Sequence, residues 1–429
     1  MNSQSQPCRV AGATDLRSDP TLFLTAIAAV LTAGIRSFHN NYQLGTLLVD
    51  PYWVNFYITS YQDGFRRRAL IGTVCRLFFP HGMSVLVING FAMFAALACV
   101  ALLAYAFTRI ASGRSYTARL WTFAFFASAF TGIFFEVLGD TLQMAFLIFC
   151  FSALFIARRT ESSIVRLIVG LAALCIGFFI HEASIFLLAP CLPFYMKRRP
   201  VLYDFVAPFI LFLGLFALSV HWSQVSVHLT NHAILYPHRG ELAQVPETPG
   251  FKALLQDEYH NDFTSIYRFL ALIGRLARVV LLGVAGLIAL SKCLSKPVLV
   301  LTLKPFLSVM LFSIPLWLVA HDWGRFLCYA LFLAVVSSLV WHDHAGDTEA
   351  VESSHFGMKL ADLLLRVGDL ELIGFAILFV LLDSPFRLNR VEGINIPDFL
   401  GFFAVVALGV VGFIVKLRQS PERLNAELS

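Results

Sequence analysis

Apolar segments recur along almost the whole chain, from residue 21 to residue 417, with few polar stretches long enough to separate them. The runs 21–37, 83–108, 120–136, 141–157, 201–220, 270–290, 305–320, 326–341, 369–383 and 399–415 approach the ~20 residues that a helix needs to cross ~30 Å of hydrocarbon. Composition points the same way. Of 429 residues, 58% are hydrophobic and 14% charged, against roughly 25% charged in soluble domains. No single soluble core would hold 42 phenylalanines and six tryptophans. The expected fold is an all-α polytopic membrane protein, with one transmembrane domain over residues 1–429.

Other classes fall away on the same grounds. The chain is too apolar and too weakly charged to be disordered outside its tails. A net charge of +5 with no long Lys/Arg run argues against a nucleic-acid partner. The eight cysteines mostly fall inside apolar runs without a C-x-x-C pair, so they read as small apolar fillers. Residues 1–20 are polar and hold Pro7 and Pro20, which does not suit a cleaved signal peptide; 21–35 reads as a first span.

One segment decides the topology. Segment 166–197 is apolar from Leu167 to Met196 except for His181-Glu182 at the centre. Read as a hairpin turning at that pair, the segment brings the total to about 12 spans, with both termini cytoplasmic. Arg109/Arg114/Arg119, Arg158/Arg159/Arg166, Lys197/Arg198/Arg199 and Lys292/Lys296/Lys304 then all fall on the cytoplasmic side. A single long helix would place Lys197, Lys292, Lys296 and Lys304 outside. The hairpin topology puts large loops 38–82 and 221–268 on the outer, periplasmic side and loop 342–368 in the cytoplasm. Within the first outer loop, residues 65–79 interleave Arg66, Arg67, Arg68 and Arg76 with Leu70, Ile71, Val74, Leu77 and Phe78, which predicts an amphipathic helix lying along the interface.

Charge is then distributed unevenly. Six of seven lysines face the cytoplasm, yet twelve of 25 arginines lie outside or at outer helix ends. Arginine offers a planar fork of donors suited to phosphate, although lipid headgroups or plain loop exposure would also accommodate it. Acids accompany these arginines. Asp63, just before the predicted helix, is either its cap or a general base or metal ligand at the membrane surface. Glu136 and Asp140 bracket the second outer turn, where paired carboxylates could bind a metal or do acid/base work, and Asp140 could equally cap the next helix. His181-Glu182 should be recessed, because two short limbs cannot span; ionisable groups at such depth are functional candidates. In the fourth outer turn, Asp322 and Arg325 could pair, or Arg325 could hold phosphate while Trp323 stacks on a sugar. His228-x-x-x-His232 has helical metal spacing but no third ligand in view, and a divalent cation stays open.

A long first outer loop carrying Asp63, short hairpins with acidic turns, and outer arginines together resemble the GT-C superfamily of glycosyltransferases. The arginine-rich outer face and the second large outer loop are similar to those of Wzy-type polysaccharide polymerases. The resemblance implies a bacterial inner-membrane glycosyltransferase or polymerase that uses polyprenyl-(pyro)phosphate-linked saccharide at the periplasmic face. Membrane lipid and other polysaccharide-assembly proteins would be its partners. It also implies that Asp63 matches the first-loop acid, and that Arg66, Arg67 and Arg68, or Arg325, match pyrophosphate-binding arginines. The first loop lacks a D-x-D or E-x-D pair, and no W-W-D-Y-G-type motif is present. A transporter or flippase of an anionic lipid-linked saccharide, or a polytopic acyltransferase with His181 as base, is the alternative.

Overall fold

The computed structural model describes residues 51–58, 60–61, 68–80, 83–111, 129–197, 202–222, 233–235, 242–244, 286–319, 323–342 and 355–365, with scattered positions at 24–31, 49, 122–126 and 280–284. Apart from an antiparallel ribbon pairing Ala233–Leu235 with Leu242–Gln244, these residues are helical or lie in short connections. The helices are α1 (Pro51–Ile58), α2 (Ala69–Phe78), α3 (Val85–Ile110), α4 (Ala129–Glu136), α5 (Thr141–Phe151), α6 (Ser163–Ile180) and α7 (Ser184–Leu188). There follow α8 (Leu192–Tyr195), α9 (Tyr203–Trp222), α10 (Lys296–Phe312), α11 (Ile314–Val319), α12 (Trp323–His342) and α13 (His355–Leu365).

Among the described residues three helices, Leu86–Ile110, Ser163–Ile180 and Gly324–Trp341, are long and apolar enough to cross a membrane. Their surroundings differ. The apolar window of α12 is 94% buried, against 44% for α3 and 39% for α6. So α12 is the axis of the described bundle, with α3 and α10 packed along it. The outer helices turn Leu86, Phe94, Ile164 and Ile168 outward, each exposed. Such broad apolar faces suit lipid as their solvent. This is a membrane protein.

The segment 166–197 bends where its two polar residues sit. Helix α6 ends at His181, whose N–H bonds back to the Gly177 carbonyl, and the chain turns through Glu182 into α7. The return limb, 184–195, is only ~18 Å long at 1.5 Å per residue and is buried throughout. Pro190 and Pro193 each start a new short helical piece there, because proline suits a first helical turn and not an interior. Helix α5 also departs from regularity, running into a π-helical turn at Ser152–Ala157. Tyr195 on the return limb donates its hydroxyl to the Ser152 carbonyl at 3.3 Å.

Two expectations need correction. The amphipathic helix expected over 65–79 is α2, Ala69–Phe78, and starts later because Arg68 adopts the left-handed conformation (φ 58°, ψ 22°). The run 305–320 is not one helix: α10 starts earlier, at Lys296-Pro297, and the chain breaks at Ser313 before α11. The seven described cysteines are free thiols. The runs 369–383 and 399–415 lie outside the described residues.

Candidate functional site

Four element ends meet on one side of the bundle. Helix α5 begins at Asp140, whose Oδ1 accepts the Leu142 N–H at 2.9 Å and so caps the helix. The turn before it needs Gly139. Its φ is +93°, and a methyl there would lie 2.6 Å from Val49 Cγ1 and 3.1 Å from Trp53 Cβ. Thr141 donates its hydroxyl to the Ile180 carbonyl at 3.3 Å, fastening the start of α5 to the end of α6. His181 and Glu182 follow directly.

Two buried ion pairs occupy this junction. Arg325, in the first turn of α12, donates Nη1 to Asp140 Oδ2 at 2.9 Å, and Tyr329 donates its hydroxyl to the same oxygen at 3.4 Å. Arg68, at the start of α2, grips Glu182 with a two-pronged contact, Nε to Oε2 at 2.9 Å and Nη2 to Oε1 at 2.6 Å. His181 lies between the pairs. Its Nδ1 accepts the Ala183 N–H at 3.2 Å and is 3.9 Å from Glu182 Oε2, while Nε2 is 4.0 Å from Asp140 Oδ1. With Nδ1 accepting, a neutral ring carries its proton on Nε2, on the Asp140 side. The two pairs are unequally open: the Asp140 side chain is 0% exposed and that of Glu182 is 12%.

Helix α1 packs across both arginines. The Arg68 guanidinium sits 4.9 Å from the Phe56 ring centre and that of Arg325 sits 5.5 Å from the Trp53 ring. Tyr57, next to Phe56 in sequence, is fully buried, and its hydroxyl finds no hydrogen-bond partner among the described residues. Burial and then the Asp140 charge push that hydroxyl well above the ordinary tyrosine range. Tyr61 is half-buried beside the end of α6, donating its hydroxyl to the Phe179 carbonyl at 3.5 Å.

Both arginines occupy helix N-termini, where the backbone dipole favours anions and disfavours cations by about 0.3–1 kcal/mol. Their carboxylate partners offset that cost. Arg68 additionally holds a left-handed backbone that a non-glycine residue takes only at a cost of roughly 1–2 kcal/mol. Strain, reversed dipoles and buried charge coincide here.

Of the residues singled out in the sequence, Arg68, Asp140, His181, Glu182 and Arg325 come together. Glu136 ends α4 and Trp323 opens α12, but their side chains lie outside the described residues, as do Asp63, Arg66, Arg67 and Asp322 altogether. Asp140 unites both roles open to it, since it caps α5 and also pairs with a cation 185 residues away. The Trp53 ring packs on the Arg325 guanidinium. Tyr329 and Phe56 escaped the sequence reading. Tyr329 lies four residues after Arg325, on the same helical face, so its partnership had a local signal; Phe56 had none. Among the described residues no three His, Cys, Asp or Glu side chains are placed to hold a metal ion.

No protein-family model, curated protein or solved structure matches this chain.

Proposed function

We propose that this protein is a bacterial inner-membrane glycosyltransferase or polysaccharide polymerase acting on polyprenyl-(pyro)phosphate-linked saccharide at the periplasmic face. In this reading about twelve helices span the membrane, both termini are cytoplasmic, and the junction of α2, α5, α6 and α12 faces the periplasm with α2 along the interface. The observation that carries the proposal is the meeting of two arginines, two carboxylates and a histidine from distant segments in one buried cluster.

The chemistry follows from the unequal pairs. A lipid-linked phosphate approaching the open end competes with Glu182 for the Arg68 fork, which binds phosphate oxygens as readily as carboxylate. Glu182, released from its partner, accepts the proton of the acceptor hydroxyl. The acceptor oxygen bonds to the anomeric carbon while the bond from that carbon to the phosphate oxygen breaks, leaving its electron pair on the lipid phosphate. Arg68 and Arg325, each at a helix N-terminus, stabilise the charge that builds there. Asp140 holds Arg325 in place, and His181 stands between the two carboxylates, 4.0 Å from Asp140 and 3.9 Å from Glu182. Glu182→Gln should cut polymer yield by about a hundredfold or more in a producing strain, with Arg68→Ala and His181→Ala lowering yield or chain length. If all three left both unchanged, the proposal would fail.

A second reading rests on the closure of the Asp140–Arg325 pair. Buried Asp/Glu/His chains also relay protons in transporters, so a flippase for an anionic lipid-linked saccharide would use the same cluster. Purified protein in liposomes separates the two. A transferase elongates a labelled lipid-linked saccharide, whereas a flippase moves it unchanged between leaflets.

A further inference from the structure

Helix α6 carries the His181-Glu182 turn at one end and a second group of charges at the other, ~27 Å away by its eighteen residues. In its first turns, capped by Ser162, stands Arg166, with only 6% of the residue exposed. Its Nη2 donates to the Glu161 backbone carbonyl at 3.0 Å, and its Nε and Nη1 are buried with no acceptor among the described residues. Buried donors without acceptors are costly, and a guanidinium more so. The helix start makes its position worse, because the dipole there favours an anion.

Other cations lie around it. Lys197 reaches back with Nζ to the Arg158 carbonyl at 3.3 Å, from a left-handed backbone with φ 58°. Arg158 leaves the π-helical turn and donates Nη1 to the Tyr105 hydroxyl at 3.0 Å. Glu161 is exposed, and it is its carbonyl that meets Arg166. A buried guanidinium, a helix N-terminus and two half-buried cations therefore surround one position.

We propose that this end of α6 is a binding site for a phosphate group, with Arg166 at its base and Arg158 and Lys197 at its rim. A tetrahedral oxyanion would give Nε and Nη1 their acceptors and sit on the favourable pole of the helix. The group belongs either to a phospholipid headgroup or to a free phosphate, and the site lies across the membrane thickness from the His181-Glu182 cluster.

Full-length protein in neutral detergent, titrated separately with inorganic phosphate and with short-chain phosphatidylglycerol, tests this by the shift in its unfolding temperature. Wild type should bind at least one probe about tenfold more tightly than Arg166→Gln. Response to phosphatidylglycerol alone assigns the site to lipid, and response to inorganic phosphate assigns it to a free anion. Should Arg166→Gln fail to fold, Lys197→Gly, which suits the left-handed backbone, should weaken binding in the same direction. No response to either probe in wild type, or unchanged affinity in the variants, overturns the site.

Discussion

The two ends of α6 hold arginines in opposite company. At the His181 end, Arg68 and Arg325 each meet a carboxylate from another part of the chain, with bonds of 2.6–2.9 Å. At the Ser163 end, Arg166 is as deeply buried but meets only a backbone carbonyl through a described bond. Burying a charge costs several kcal/mol unless a partner compensates it. One end has its counter-charges built in and is set before any substrate arrives. The other draws its counter-charge from outside the fold.

The largest expected effect breaks the matched end. Asp140→Ala or Arg325→Ala should each destabilise the protein by about 3–5 kcal/mol, because the survivor becomes a buried charge without its counter-ion. The double variant should lose clearly less than the sum of the two. Unfolding of all four proteins under one detergent condition gives the coupling energy. Additive losses would mean that the pair is held by packing rather than by charge.

That pair also marks where sequence reasoning stops. The turn at His181-Glu182 was legible because two ionisable residues interrupt a long apolar stretch, and Asp140 was legible as a cap because Asp-Thr opens an apolar run. The pairing of Asp140 with Arg325 was not legible: the two are 185 residues apart, and no local periodicity records such a contact. Nor could burial be ranked from the runs alone. Lipid tails are as apolar as leucine, so a helix facing lipid and one facing protein select similar residues. The faint signal runs opposite to intuition, since α12, the most buried of the three long helices, is also the least apolar. It places Arg325, Tyr329, Ser337 and Ser338 inside the bundle, where each is buried. The left-handed Arg68 was invisible as well, since nothing about an arginine announces φ 58°.

A smaller effect sharpens how the matched end is assembled. Gly139→Ala should cost about 1–3 kcal/mol, since alanine resists φ +93° and its methyl would meet Val49 and Trp53. Trp53 packs on Arg325, so displacing it also disturbs the cation. Activity should therefore fall further than stability alone explains, which an assay well below the unfolding temperature would reveal. Equal losses in stability and activity would reduce Gly139 to a simple turn former.

The smallest effect probes the unmatched end through pH. Burial, Arg166 and Arg158 lower the Lys197 ammonium from its ordinary 10.5 to about 8, with exposed Glu161 opposing them. The sign follows from proton counting. Between pH 8 and 10.5 the unfolded chain keeps the proton that the folded chain has lost, so stability rises with pH across that window. Below pH 8 both states are charged and the penalty is complete. The unfolding temperature of wild type should thus gain on that of Lys197→Gly between pH 8 and 10. A bound phosphate should raise the Lys197 pKa again and flatten that gain, because an anion favours the charged form. A slope identical with and without phosphate would show that Lys197 and the anion do not share the end of α6.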